Sequence, residues 1–274
     1  MTDPDTIRAQ HREGWEQAAP GWETGTSFYT ATEVVNDWLI EHVAPAPGQR
    51  ILEVAAGRGD LSRALAPRVL PGGEIVCTDG AEAMVEVAKR FVEDDNVTHR
   101  TMELEWVDAD AASFDAIVSR FGYMLCVDPE AALREARRVL RHGGRLALAV
   151  WDLAADNPWL AAVGEEAVKA GLFPTPEVGT PGPFALAAPG ALEEVLGAAG
   201  FVAPTIESVD LTFEAPSLDA VWDEISERAT FLRALSPADH YRLRDAVDQR
   251  WGAYAAADGS LAIPGRVRCA LAEA

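Results

Sequence analysis

From residue 50 to residue 151 the chain alternates short apolar runs with amphipathic stretches, and that alternation restricts the fold more than any other feature. Residues 50–55 (RILEVA) form an apolar run that ends at a glycine turn, and residues 60–69 follow as a helix broken near Pro67 or Pro71-Gly72-Gly73. Residues 74–78 (EIVCT) make the next strand, and Met84, Val87, Ala88 and Phe91 then mark a helix at 3.6 spacing. Residues 114–119 (FDAIVS) are a strand and residues 129–140 a helix with Leu133, Ala136 and Leu140 inward. Gly143-Gly144 caps that helix, and residues 145–151 (RLALAVW) form another buried strand. Strands separated by helices of this length need crossover connections, hence a parallel sheet covered on both faces.

On either side the pattern differs. Val35, Trp38, Leu39 and His42 fall at i, i+3, i+4, i+7 of a helix ended by Pro45-Ala46-Pro47-Gly48. Upstream, Trp15, Trp22, Phe28 and Tyr29 set large rings in a segment of small and polar residues, suited either to stapling an N-terminal helix to the core or to a lid over a pocket. Beyond Trp151, Asn157-Pro158 opens a helix to about Gly171 as N-cap and first-turn proline, and residues 173–189 are a loop rich in Pro, Gly and Ala. A helix over 192–199 closes at Gly200, and Val209, Leu211 and Phe213 alternate as a strand. One helix follows Ser217 and another starts at Ser236-Pro237 with Asp239 completing a capping box. After Asp258-Gly259 comes a last strand carrying Val267, Cys269 and Leu271. Three segments result: an N-terminal helical lid over 1–47, a core over 48–152, and substrate-cap helices with the last two strands of the same sheet over 153–274.

Charge narrows the partners. Lys+Arg 23 against Asp+Glu 44 gives −21 in 274 residues, a surface that repels phosphate backbones and argues against nucleic acid. The densest basic run, Arg134 to His142, sits at helical spacing and suits a solvated helix face whose last turn is cationic. No window approaches the roughly 20 apolar residues of a membrane span. The opening Met1-Thr2-Asp3-Pro4-Asp5 lacks a basic n-region and an apolar h-region, so a cytoplasmic protein is expected. Cys77, Cys126 and Cys269 are far apart and flanked by apolar residues, which fits reduced thiols in or near the core and gives no metal-ligand spacing.

The chemistry concentrates in Glu53-Val54-Ala55-Ala56-Gly57-Arg58-Gly59-Asp60, the first strand–helix turn, where open α/β sheets bind ligands. Gly57 and Gly59 let the backbone approach a ligand closely. A dinucleotide would place its diphosphate at the helix start, beside the anion of Asp60 and near Glu53, which is electrostatically unfavourable. S-adenosylmethionine (SAM) carries an ammonium and a sulfonium and no phosphate, so both acids suit it. Asp79, twenty residues after Gly59, ends the second strand where a carboxylate meets ribose hydroxyls.

With these motifs in this order the chain resembles the class I SAM-dependent methyltransferases, in particular the bacterial small-molecule enzymes related to the ubiquinone/menaquinone C-methyltransferases. The likeness covers about residues 48–151. Residues 53–60 resemble motif I, Thr78-Asp79-Gly80 the acidic loop after strand two, and Met102-Glu103-Leu104 the adenine-side loop. Residues 112–122 and 138–146 are similar to the approaches to strands four and five. The resemblance implies a Rossmann-like, doubly wound, mainly parallel seven-stranded sheet with a helical insertion between the late strands. It implies SAM as cofactor and S-adenosylhomocysteine (SAH) as product. Glu53, Ala55, Gly57 and Gly59 would hold the methionine end, Asp79 the ribose with Gly80 and Met84 beside it, and Glu103 and Leu104 the adenine. Ser119 and Arg120 would close the methionine side. Ala55 stands where the family has a glycine, and Glu103 where it has an aspartate.

The acceptor pocket is expected from Trp15, Trp22, Tyr29, Phe121, Tyr123, Met124, Trp159 and the 173–187 loop, an apolar and aromatic set suited to a hydrophobic or aromatic metabolite. Among the five histidines only His11 is taken as a general-base candidate, together with Tyr29, both in the expected lid. An Asn-Pro-Pro-Tyr motif for adenine amines is absent, since the chain reads Arg120-Phe121-Gly122-Tyr123. Two alternatives stay open: a SAM-binding fold with cyclase-like chemistry, and an NAD-dependent oxidoreductase. A monomer and a homodimer are equally compatible with the sequence.

Overall fold

The computed structural model describes residues 3–24, 27–176 and 179–274. Its strands are β1 (Arg50–Glu53), β2 (Glu74–Asp79), β3 (Val97–Thr101), β4 (Phe114–Arg120), β5 (Leu140–Trp151), β6 (Thr205–Ala215) and β7 (Leu261–Glu273). They form one seven-stranded sheet in the order β3-β2-β1-β4-β5-β7-β6. β1 to β5 pair in parallel, and β7 runs antiparallel to both β5 and β6. The chain leaves β1 toward β2 on one side and returns through β4 on the other. The carboxyl ends of β1 and β4 therefore flank the topological switch point, where such sheets open a crevice.

The helices between the parallel strands are α4 (Asp60–Leu65), α5 (Glu82–Phe91) and α6 (Pro129–Val139). Each buries a stripe of apolar side chains: Leu61 and Leu65 from α4, Met84, Val85, Val87 and Ala88 from α5, Ala132, Leu133, Ala136 and Val139 from α6; of these, Met84 and Val87 cluster with Ala19 of the N-terminal helix. Ile51, Leu52, Ile117 and Val118 of the central strands are fully enclosed, as a strand covered on both faces requires.

Around this core lie α1 (Pro4–Thr24), α2 (Ser27–Ala31) and α3 (Glu33–Val43), then α7 (Pro158–Lys169) and α8 (Ala191–Ala198) before β6. α9 (Leu218–Arg228) and α10 (Pro237–Trp251) lie between β6 and β7. Local capping chemistry sets both of these starts: Ser217 Oγ accepts from Ala220 N at 3.2 Å and Ser236 Oγ from Asp239 N at 3.2 Å. Among the described residues no helix is long and apolar enough to cross a membrane.

The sequence pattern does not anticipate β3, whose Val-Thr-His-Arg-Thr carries no apolar alternation and lies on the sheet edge, where one flank faces water. Three local expectations need correction. Gly143-Gly144 does not cap α6, which ends at Val139 and passes directly into β5. The pair instead bends β5, Gly143 adopting φ +75° and donating its N–H to Ala274 O at 2.9 Å, close to a register irregularity against β4. His142 is consequently an exposed strand residue and not a helix-end cation. Asn157 precedes α7 but makes no side-chain cap. It is buried, and its side chain bridges Asp152 O, Leu153 O and both the N–H and the carbonyl of Arg266, tying the end of β5 to β7.

Candidate cofactor and acceptor site

A cavity of about 440 Å³ opens over the carboxyl ends of β1, β2 and β4 and is covered by α1, α2, α7 and α9. One end is made by the β1–α4 turn. Ala55 has φ +52° and Gly57 φ +56°, left-handed conformations that fold the backbone tightly. A Cβ on Gly57 would meet nothing within 4 Å, so open space lies directly over that residue. At the next strand end, the Asp79 carboxylate accepts from Gly57 N at 3.0 Å and from Ala81 N at 3.1 Å. Burial raises its pKa above the usual carboxylate range, and these backbone donors oppose the rise. Each oxygen holds one backbone N–H and keeps acceptor capacity for a hydroxyl. Gly80, Met84, Glu103 and Leu104 continue the wall from there.

The other end is aromatic. Trp22 meets Phe28 edge-on with centroids 5.0 Å apart, Phe121 stacks on Trp151 at 4.2 Å, and Trp159 stacks on Phe213 at 4.0 Å. These pairs fix the rings as rigid apolar walls. Trp15, Met124, Ile225 and Phe231 complete them. From the 173–187 loop Pro183 reaches the cavity, next to Gly182, whose N–H donates to Met124 O at 3.0 Å. Residues 177 and 178 of that loop, like Met1 and Thr2 of the expected lid, lie outside the described residues.

Most of the site residues expected from the sequence converge here: Ala55, Gly57, Asp79, Gly80, Met84, Glu103, Leu104 and Arg120 on one side, His11, Trp15, Trp22, Tyr29, Phe121, Met124 and Trp159 on the other. Four do not lie on the wall. Glu53 is buried beneath the turn, its Oε2 accepting from Ser62 N at 2.7 Å and from Ser62 Oγ. Gly59 supports the turn from behind: a Cβ there would sit 2.8 Å from Val92. Ser119 is fully buried and donates to Val54 O at 3.1 Å, holding β4 against β1. Tyr123 is packed in the hydrophobic core, where burial raises its phenol far above the usual value.

Tyr29 reaches the cavity but is a poor base. Its Oη donates to Trp22 O at 2.6 Å, and burial pushes its pKa up to about 12. His11 keeps its place on the wall. Arg120 is buried, donating to Thr32 Oγ1 at 3.0 Å and Asn36 Oδ1 at 2.9 Å, with Asp60 Oδ2 3.7 Å away. Burial lowers its pKa, and Asp60 offsets part of that.

Sequence patterning missed several arginines. Arg8 pairs with Glu105 at 2.5 Å and Arg12 with Glu103 at 2.5 Å, while the Arg58 guanidinium lies 3.5 Å from the Tyr29 ring centroid and 2.7 Å from Asp60. Arg228 enters from α9. Apart from Arg58, beside Asp60 within motif I, their partners lie on distant segments or on an insertion, and no local motif marks them.

The arrangement separates the cofactor alternatives. Ser62 is the third residue of α4, so the anion position at that helix start is already filled by the Glu53 carboxylate. A diphosphate would meet that carboxylate together with Asp60. A phosphate-free nucleoside fits: Asp79 offers acceptors for ribose hydroxyls, Met84 and Leu104 offer apolar surface, and the space above Gly57 is free. Fold and site thus suit SAM, a nucleoside cofactor without phosphate.

Residues 51–144 match the methyltransferase domain family. Part of the chain is similar in sequence to menaquinone-biosynthesis methyltransferases. It is 40% identical over 113 residues to a demethylmenaquinone methyltransferase of Clavibacter sepedonicus, covering 39% of this chain and 42% of that one. It is 36% identical over 133 residues to a ubiquinone/menaquinone biosynthesis C-methyltransferase of Ectopseudomonas mendocina, covering 46% and 50%. The chain thus spans about half the length of the curated relatives it matches. The YcgJ protein of Bacillus subtilis has the same fold, with TM-score 0.59 at 17% identity over 87% of this chain and 97% of that one.

Proposed function

We propose that this protein transfers the methyl group of SAM to a small, largely apolar acceptor held among the aromatic rings. The observation that carries this is the continuity of one cavity, which joins the Gly57–Asp79 end to the box of Trp22, Phe28, Phe121 and Trp159. The cofactor supplies an electrophilic methyl group on a sulfonium. The chain's part is to place the acceptor and exclude water. Asp79 would hold the ribose, Ala55 and Gly57 would give the methionine end backbone approach, and Glu103 and Leu104 would border the adenine. Arg120, bonded to α2–α3 residues, fixes the covering helices to the end of β4. The stacked pairs keep the acceptor side dry.

His11 stands on the wall as the candidate to take a proton from a neutral hydroxyl or carbon acid, and α1 and α2 act as the lid that carries it and Tyr29. The curated relatives are named for demethylmenaquinone and ubiquinone/menaquinone chemistry. They match 39% and 46% of this chain, so the acceptor class rests on this chain's own rings. Three buried thiols suit a reducing, cytoplasmic setting, and the acidic surface suits a metabolite better than a nucleic acid.

Calorimetric titration with SAH tests the cofactor end. Wild-type protein binds SAH, and Asp79→Asn weakens binding at least about tenfold, the equivalent of about 1.4 kcal/mol. Formation of SAH from SAM in the presence of an aromatic acceptor tests the transfer. Tight SAH binding with no turnover of any acceptor points to non-methylating chemistry, and absence of SAH binding ends the proposal.

A further inference from the structure

Arg228 closes the aromatic end of the cavity from the last turn of α9, and its side chain is 7% exposed. Its guanidinium stands over three rings, 4.7 Å from the Trp22 centroid, 5.0 Å from Phe28 and 5.8 Å from Tyr29. Nη1 lies 2.7 Å from Glu224 Oε1 without hydrogen-bond alignment. Glu224 is itself held by Phe28 N at 3.1 Å and by Ser27 Oγ, so it fixes the guanidinium in place. Among the described residues Nε and Nη2 have no hydrogen-bond partner, and neither has the buried Nε1 of Trp22 beside them.

Unpaired donors of this kind are costly when buried, and more so when charged. An arginine left in this state at the wall of a binding cavity is arranged for an acceptor that arrives with the ligand. The free edge, Nε with Nη2, is the side of the guanidinium that grips two oxygens in parallel.

We propose that the acceptor bears a carboxylate on its apolar framework and that Arg228 binds it through Nε and Nη2, with Trp22 Nε1 as a further donor. The inference rests on the methyltransferase reading for the word acceptor, and it deepens that reading by naming the substrate class: an aromatic or polyunsaturated carboxylic acid in place of a wholly neutral metabolite. The aromatic rings supply affinity for the framework and the arginine supplies discrimination. A site built around buried donors rejects an uncharged analogue, because that analogue leaves the donors unpaired.

The test titrates SAH-saturated protein with 2-naphthoate and with 2-naphthamide, which share a framework and differ in the charged group. Wild type binds the carboxylate at least about tenfold more tightly. The variant Arg228→Met removes that preference while binding of the amide stays within about twofold. Because Arg228→Met leaves Glu224 buried without its cation, the double variant Glu224→Gln with Arg228→Met, which removes the pair as a unit, is measured in parallel. Equal affinities in the wild type, a preference that survives in the double variant, or no binding of either compound at millimolar concentration overturns the proposal. SAH binding in the same samples separates the two readings. Its absence removes the methyltransferase proposal, and the naphthoate comparison on the free protein still decides the role of Arg228.

Discussion

Glu53 spends its charge on the fold. Its carboxylate is enclosed at the end of β1 and accepts two hydrogen bonds from Ser62, yet burial outweighs them and pushes its pKa up to about 7 from an ordinary 4.5. A carboxyl with a folded-state value above its unfolded one binds protons more readily when folded. Its contribution to stability is therefore present in full below about 4.5 and is lost as the pH rises toward 7 and beyond. The interval corresponds to roughly 3 kcal/mol. Glu53→Gln keeps a carbonyl for the Ser62 donors and removes the titration. The melting temperature of wild type minus that of the variant is expected to fall between pH 5 and pH 8 by on the order of 5–10 °C. A difference that is flat with pH would show that Glu53 does not titrate in this window. From sequence alone Glu53 looks like a cofactor ligand, because it ends the first strand beside the glycine turn. Its side chain direction is decided by Ser62, nine residues on, and a strand-end acid with a hydroxyl residue at the third position of the next helix is the one signal that could have revealed it. Asp79 differs in that its partners are backbone groups of the turn itself, so its place follows from the motif.

At the scale of elements, α1 is fastened across the site by charged side chains. Ala81 at the start of α5 has no side-chain acceptor, and α1 supplies one: Glu16 accepts from Glu82 N at 2.7 Å and Ala83 N at 2.9 Å. Arg8 and Arg12 reach Glu105 and Glu103, and Glu23 meets Arg90 at 2.9 Å. α1 thus caps the helix that starts beside Asp79, while its own Trp15, His11 and Arg12 line the cavity. Glu16→Ala is expected to cost about 1 kcal/mol as a lost helix cap and to loosen α1 from the core. Hydrogen exchange of residues 4–24 should quicken in the variant and slow again on adding SAH. Unchanged exchange would mean that apolar packing alone holds the helix. Elements were legible where the signal is local, as at Ser217 and Ser236 or in the alternating strands and helices of residues 50–151. β3 was not, since an edge strand with polar residues shows no period of two. Gly143-Gly144 misled because a double glycine after a helical run fits a cap and a strand bend alike. The fastening of α1 could not be foreseen, as each of its partners lies on a segment distant in sequence.

For the molecule as a whole, charge is sorted by depth. The chain carries −21, yet the cavity wall gathers Arg8, Arg12, Arg58, Arg120 and Arg228 against Asp79, Glu103 and Glu105. Fold class and cofactor end were visible in the sequence because both rest on one contiguous stretch. This cationic lining was not, since its members come from α1, the first turn, β4 and α9 and meet only in three dimensions. The sorting has a kinetic consequence for a carboxylate ligand. Approach is through the field of an acidic surface, which repels it over about 30 Å at 0.01 M salt and about 8 Å at 0.15 M. Once bound to Arg228 the ligand lies among buried rings, where added salt screens little. The association rate of 2-naphthoate, followed by stopped-flow tryptophan fluorescence, is therefore expected to rise several-fold between these salt concentrations, while its dissociation rate changes little. The neutral 2-naphthamide should show neither effect. A carboxylate whose association is indifferent to salt would mean that the entrance is shielded from the net charge, and one whose dissociation quickens with salt would place its partner at the surface instead of at Arg228.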